Sequence, residues 1–163
     1  MAQEIERKFL VKGDAYKTAA FDHSRIQQGY ILSGGGRTVR VRIRDDKGYL
    51  TIKGPSADGG LSRFEFETEV AMADAVELMK LCEPGIIDKT RWLVRATDGH
   101  IFEVDEFYGD NEGLVMAEVE LQAADETFVK PDFIGKEVTG DRRFYNVHLR
   151  RYPFKLFSAD IQS

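Results

Sequence analysis

The sequence predicts a mainly β (α+β) fold: a closed eight-stranded antiparallel barrel with an ionic lumen and helices packed outside. Three observations lead there. Apolar and polar residues alternate over most of the chain, the charges concentrate on one parity of that alternation, and only two helical patterns interrupt it. A chain of 163 residues supports one compact domain with its own core, so residues 1–163 are read as a single unit.

Period-two alternation marks strands over 3–11, 26–32, 37–45, 48–54, 61–70, 86–96, 100–108 and 114–122. A short helical pattern lies near 14–20. A second runs over 73–83, where Ala75, Leu78, Met79 and Cys82 recur at helical spacing until Pro84-Gly85 ends it. Cys82 therefore reads as a small core residue. Ser33-Gly34-Gly35-Gly36 and Ser56-Ala57-Asp58-Gly59-Gly60 match no phosphate-loop pattern and read as turns between strands. After Pro131, aromatics mix with short helical pieces. In the tail Tyr152–Ser163, the rings of Tyr152, Phe154 and Phe157 could close a barrel mouth or lie on the outer sheet.

The charge pattern carries the functional information. Residues of one parity share a strand face. Glu4, Glu6 and Lys8 oppose Ile5 and Phe9, and Arg40, Arg42 and Arg44 oppose Val39, Val41 and Ile43. Lys53 opposes Leu50 and Ile52, while Arg63, Glu65, Glu67 and Glu69 oppose Phe64, Phe66 and Val70. Lys89 and Arg91, then Glu103 and Asp105, then Glu118 and Glu120 repeat the arrangement. A solvated sheet face usually mixes Thr, Ser, Lys and Glu, whereas here like charges follow each other at i, i+2. At roughly 6–7 Å along a strand, each like pair costs about 0.6 kcal/mol in water and about 2.4 kcal/mol at an effective dielectric of 20.

The ionic face meets either bulk water or a barrel lumen, and a lumen is the preferred reading because closure also removes the sheet edges. The apolar face is then covered by the helices and the C-terminal segment. In a lumen, Arg40, Arg42, Lys53, Arg63, Lys89 and Arg91 are suited to clamp phosphoryl oxygens. The pairs Glu4/Glu6 and Glu118/Glu120 offer hard oxygen ligands to Mg2+ or Mn2+. Both clamps together suit a metal-bound polyphosphate.

Composition excludes other classes. A net charge of −5 argues against a nucleic-acid-coating protein. The lone Cys82 rules out an intrachain disulfide and a cysteine-rich zinc site, and fits a reducing, cytoplasmic setting. His23, His100 and His148 form no ligand-spaced pair. No apolar run exceeds four residues, and the N-terminus has no apolar signal region.

Glu4-Ile5-Glu6-Arg7-Lys8 carries an ExExK pattern. It is followed in order by Gln28-Gly29-Tyr30, the Val39–Arg44 strand, Thr51-Ile52-Lys53-Gly54, Arg63 with Glu65 and Glu67, Lys89-Thr90-Arg91, Glu103-Val104-Asp105, Glu118-Val119-Glu120-Leu121 and Ile134–Thr139. This series resembles the CYTH, or triphosphate tunnel metalloenzyme, superfamily, and within it the short single-domain bacterial branch.

The resemblance implies a barrel forming a tunnel and metal-dependent hydrolysis of inorganic triphosphate to pyrophosphate and phosphate. Glu4, Glu6, Glu118 and Glu120 would hold the metal, with Asp105 and Glu67 as further or water-mediated ligands. Lys8, Arg40, Arg42, Lys53, Arg63 and Arg91 would bind phosphates, and Lys89 with Tyr30 would act on the attacking water. For Lys89, a further phosphate clamp is an equally weighted reading, and for Tyr30 a core tyrosine. The implied partner is a small triphosphate, with no nucleic acid or membrane, in a monomer or homodimer. Other members suggest a class IV-type adenylate cyclase or a thiamine or nucleoside triphosphatase; a non-catalytic polyphosphate- or nucleotide-binding module is a third possibility.

Overall fold

The computed structural model describes residues 3–161; the first two residues and the last two, Ser163 of the tail among them, lie outside the described residues. Nine strands are described: β1 (Gln3–Val11), β2 (Asp22–Gly34), β3 (Arg37–Arg44), β4 (Lys47–Lys53), β5 (Ser62–Val70), β6 (Ile87–Arg95), β7 (Ile101–Phe107), β8 (Val115–Glu120) and β9 (Ile134–Glu137). The helices are α1 (Ala15–Ala19), α2 (Met72–Lys80) and α3 (Asn146–Leu149), with several single 3-10 turns.

The strand order β5-β4-β3-β2-β6-β7-β8-β1, with a further β5–β1 pairing, closes an eight-stranded antiparallel barrel, as the alternation predicts. Closure is shared along β1. Its first residues pair with β5 (Glu4↔Arg63), its later ones with β8 (Lys8↔Glu118), and β9 adds to its C-terminal half (Phe9↔Glu137). Four residues are too few for β9 to show as alternation, so the sequence does not predict it.

The element boundaries differ from expectation where long-range pairing decides them. Asp22–Arg25 extend β2 backwards by pairing with β6, despite their polarity. Helix α2 stops at Lys80, leaving Cys82 half-buried against Gly29 rather than on the helix. Gly48 lies directly beneath Ala75, so α2 sits on β4 at a distance that a side chain would prevent.

One apolar core lies outside the barrel. Phe9, Val94, Phe102, Val104, Ala117 and Val119 are buried there beneath α1 and the segment leading to β9, which contribute Tyr16 and Phe133. Elsewhere the outer face is less covered than expected. Leu32, Ile52, Phe64 and Phe66 remain 41–49% exposed, because α2 caps only part of β2–β4 and the C-terminal segment goes elsewhere.

That segment enters the barrel end. A second core joins Ile87, Phe107, Met116 and Leu10 to Phe144, Leu149, Phe154 and Phe157. The four strand residues have the same parity as Lys89, Asp105, Glu118 and Lys8, so each inner face turns from ionic to apolar within one alternation. The lumen is thus ionic over only part of its length, and the remainder is filled. Phe154 and Phe157 fill it, whereas Tyr152 is 57% exposed and stacks on His148.

Candidate active site

The ionic part of the lumen is a cavity of about 230 Å³. Alternation brings nearly all the residues predicted from the sequence to its wall: Lys8, Arg40, Arg42, Lys53, Arg63, Lys89, Arg91 and Tyr30, together with Glu4, Glu6, Glu67, Glu118 and Glu120. Arg44, Glu65 and Glu103, of the same parity, join them. Val147 is the only aliphatic side chain on the wall among the described residues.

The cations are held in networks. Arg42 donates to Gln28 Oε1 at 2.9 and 2.8 Å, and Gln28 in turn donates to the Tyr30 hydroxyl at 3.0 Å. Arg40 donates to Thr51 Oγ1 at 3.1 Å and lies 3.4 Å from Glu67. Its buried Nε has no acceptor among the described residues, a donor that a bound anion would satisfy. Burial, with Arg40 and Arg91 nearby, lowers the Arg42 pKa; the same crowding of positive charge favours an anionic ligand.

Asp105 stands apart. It is buried beneath the wall rather than on it, and both oxygens are engaged: Arg91 donates at 2.8 and 3.0 Å, and the Lys89 ammonium is ion-paired at 2.7 Å. Burial raises its pKa, but Arg91 and Lys89 outweigh this and hold it at about 2. In this arrangement Asp105 is the counter-ion of Arg91 and Lys89, and it lies behind the wall from which a further or water-mediated metal ligand would act. Glu67 is likewise drawn to the basic wall, accepting from Thr51 at 2.8 Å.

Lys89 is 1% exposed. Burial, reinforced by Arg91 and Arg42 and opposed by Asp105, brings its pKa to about 7. Tyr30 borders the same cavity, but its hydroxyl is taken by Gln28, and Lys89 instead bonds Asp105 and Asn146 Oδ1, the latter at 2.9 Å. No sequence pattern marks Asn146. It arrives on the C-terminal segment with Tyr145 and Val147, through contacts that no local pattern encodes. A close loop contact seats the segment: a Cβ at Gly140 would overlap the Gly59 carbonyl, and one at Gly60 would come within 2.7 Å of the Tyr145 hydroxyl. Positive φ at Gly59, Gly60 and Gly140 fits these positions to glycine.

Across the cavity the carboxylates crowd together. Glu4 accepts from Lys53 at 2.9 and 3.2 Å, and Glu118 lies 3.5 Å from Lys8. Burial, then Glu118 and Glu4, push the Glu6 carboxyl well above its usual range; burial also pushes Glu118 upward, but Lys8 and its hydrogen bond with Glu6 hold it well below. Glu65 is pushed up to about 7, by burial and then by its hydrogen bond with Glu4.

A CYTH domain family model matches residues 2–145. The chain belongs to the CYTH family. Among curated CYTH relatives, the inorganic triphosphatase of Acetivibrio thermocellus is 49% identical over 158 residues, covering 96% of this chain and 99% of that protein. The inorganic triphosphatase of Nitrosomonas europaea is 33% identical over 146 residues, covering 88% and 93%. The crystal structure of the inorganic triphosphatase NE1496 superposes on this CYTH barrel with a TM-score of 0.61 at 30% identity, covering 90% and 97% of the two chains.

A CYTH triphosphatase implies a divalent metal. The chemistry of Glu4, Glu6, Glu118 and Glu120 fits one. All four are oxygen donors, and the burial of Glu6 beside Glu118 and Glu4, which pushes its carboxyl well above the usual range, is a cost that a bound cation would offset. Among the described residues no three such side chains are already gathered as ligands. Glu4 accepts from Lys53 and Glu118 lies 3.5 Å from Lys8, which leaves each carboxylate further lone pairs for an ion.

Proposed function

We propose that this protein is an inorganic triphosphatase that hydrolyses tripolyphosphate to pyrophosphate and phosphate. The observation that carries the reading is the cavity itself: opposed cationic and carboxylate walls, almost no apolar surface, and a buried lysine with its pKa near neutrality on the wall. Phosphoryl transfer depends on positioning and charge neutralisation more than on covalent chemistry. A substrate consisting only of phosphates uses every part of such a wall, whereas a purine would require apolar or stacking contacts that Val147 and the two tyrosines do not enclose.

Arg40, Arg42, Lys53, Arg63, Lys8 and Arg91 bind the phosphate oxygens. Arg40 and Arg42 are already fixed by Thr51 and Gln28, so their geometry is set before the substrate arrives. Neutral Lys89 takes a proton from the attacking water as its oxygen bonds to the terminal phosphorus. The bridging P–O bond breaks, and its electron pair leaves on the pyrophosphate oxygen, stabilised by the guanidinium groups. Glu4, Glu6, Glu118 and Glu120 would hold Mg2+ or Mn2+, which supplies further neutralisation of the substrate oxygens. A reducing cytoplasmic setting suits the single cysteine.

Product analysis tests this. Incubated with Mg2+ and tripolyphosphate, the protein should release phosphate and pyrophosphate in equal amounts, and it should turn over ATP and thiamine triphosphate more slowly. Cyclic AMP from ATP would make it a cyclase. Tight tripolyphosphate binding without products would make it a binding module.

A further inference from the structure

The geometry points to Asn146 as a positioning residue that, with Asp105, aims the nitrogen lone pair of Lys89 into the cavity. This inference rests on the proposed triphosphatase reading and adds a residue to it. Lys89 Nζ donates to Asn146 Oδ1 at 2.9 Å and is ion-paired with Asp105 Oδ2 at 2.7 Å. Both partner atoms are acceptors only. A neutral amine has two N–H bonds and one lone pair around its carbon attachment, so two acceptors take both hydrogens. The lone pair is left in the fourth tetrahedral direction. Lys89 and Asn146 both border the cavity while Asp105 lies beneath the wall, so that remaining direction opens on the substrate side.

The charged groups around Lys89 include Asp105 from β7, Arg91 from β6, Arg42 from β3 and Glu118 from β8. With Asp105 alone, Nζ has one fixed N–H and can rotate about the Cε–Nζ bond. The Asn146 acceptor removes that freedom. It reaches this place because the C-terminal segment is anchored at the apolar barrel end by Phe144 and Leu149, two and three residues away on either side and both fully buried. The segment that fills one end of the barrel thereby completes the hydrogen bonding of the base.

The test compares three full-length variants on tripolyphosphate with Mg2+. Asn146→Leu removes the acceptor at similar volume and should lower kcat by about 10- to 100-fold with KM changed less than threefold. Asn146→Asp keeps an acceptor oxygen in place while adding charge beside Lys89. It should retain more activity than Asn146→Leu and shift the acid limb of the kcat–pH profile to higher pH. Lys89→Gln combined with Asn146→Leu should be no slower than Lys89→Gln alone, since Asn146 acts only through Lys89.

A full kcat in Asn146→Leu, or an additive loss in the double variant, overturns the inference. If Asn146→Leu fails to fold, an unmoved pH profile in Asn146→Asp overturns it independently. An inactive wild type, or unchanged kcat in Lys89→Gln, overturns the triphosphatase reading or the base assignment instead. The two failures are therefore distinct.

Discussion

The two ends of the barrel interior are made from the same strands and the same side-chain parity, yet they do opposite work. At one end Lys8, Lys89, Asp105 and Glu118 make a dense ionic network. One alternation further along, Leu10, Ile87, Phe107 and Met116 pack around Phe144, Leu149 and Phe157. Burying that many charges costs several kcal/mol per ion before pairing offsets it, so the ionic end contributes little net stability. Each large apolar side chain buried at the other end contributes about 1.5–3 kcal/mol. Labour is divided between them: the apolar end holds the barrel in shape, and the ionic end uses that rigidity to keep like charges together.

This division can be broken from the apolar side first. Phe144→Ala empties the centre of the filled end and should cost about 3–5 kcal/mol in urea unfolding. A loss below about 1 kcal/mol would mean that the filling segment packs loosely and the comparison does not hold. On the ionic side, Glu6→Gln should reverse the sign. The folded-state pKa of Glu6 is raised, so its favourable contribution exists below the ordinary carboxylate value and is lost as pH rises through the raised one. Metal-free Glu6→Gln should therefore melt above the wild type at pH 8, by a few degrees, while metal-dependent turnover falls. A lower melting temperature there would contradict the crowding of the carboxylates.

The smallest effect lies outside both ends. His100 bridges Asp98 at 2.9 Å and Glu126 at 2.5 Å, joining the turn before β7 to the segment after β8. The hydrogen bonds to Glu126 and then Asp98 raise its pKa. Its stabilisation is fully present below the ordinary imidazole value and is lost as pH rises through the raised one. His100→Gln should lower the melting temperature at pH 5.5 and match the wild type at pH 9. A difference that persists at pH 9 would show that the histidine acts through packing instead.

Much of this was legible in the sequence. Alternation located eight strands, and because closure preserves parity, it also placed the cavity wall: Arg40, Arg42, Glu4, Glu6, Glu118 and Glu120 all face inward as the pattern requires. The change from Lys8 to Leu10 and from Lys89 to Ile87 was present too, on one parity, but its meaning depends on what fills the space, and the filling segment lies more than fifty residues from Lys89 in the chain. For the same reason Asn146 gave no signal. Parity reports a face and not a depth, so the pattern does not set Asp105, paired with Arg91 and Lys89 behind the wall, apart from the carboxylates on it.

Turnover and binding of tripolyphosphate by Lys89→Gln separate the two roles of the ionic end most directly. If the ionic end binds through its arginines and reacts through Lys89, kcat falls by about 100- to 10,000-fold while the tripolyphosphate dissociation constant changes less than about threefold. Turnover close to wild type with binding weakened tenfold or more would contradict the account, making Lys89 one more phosphate clamp.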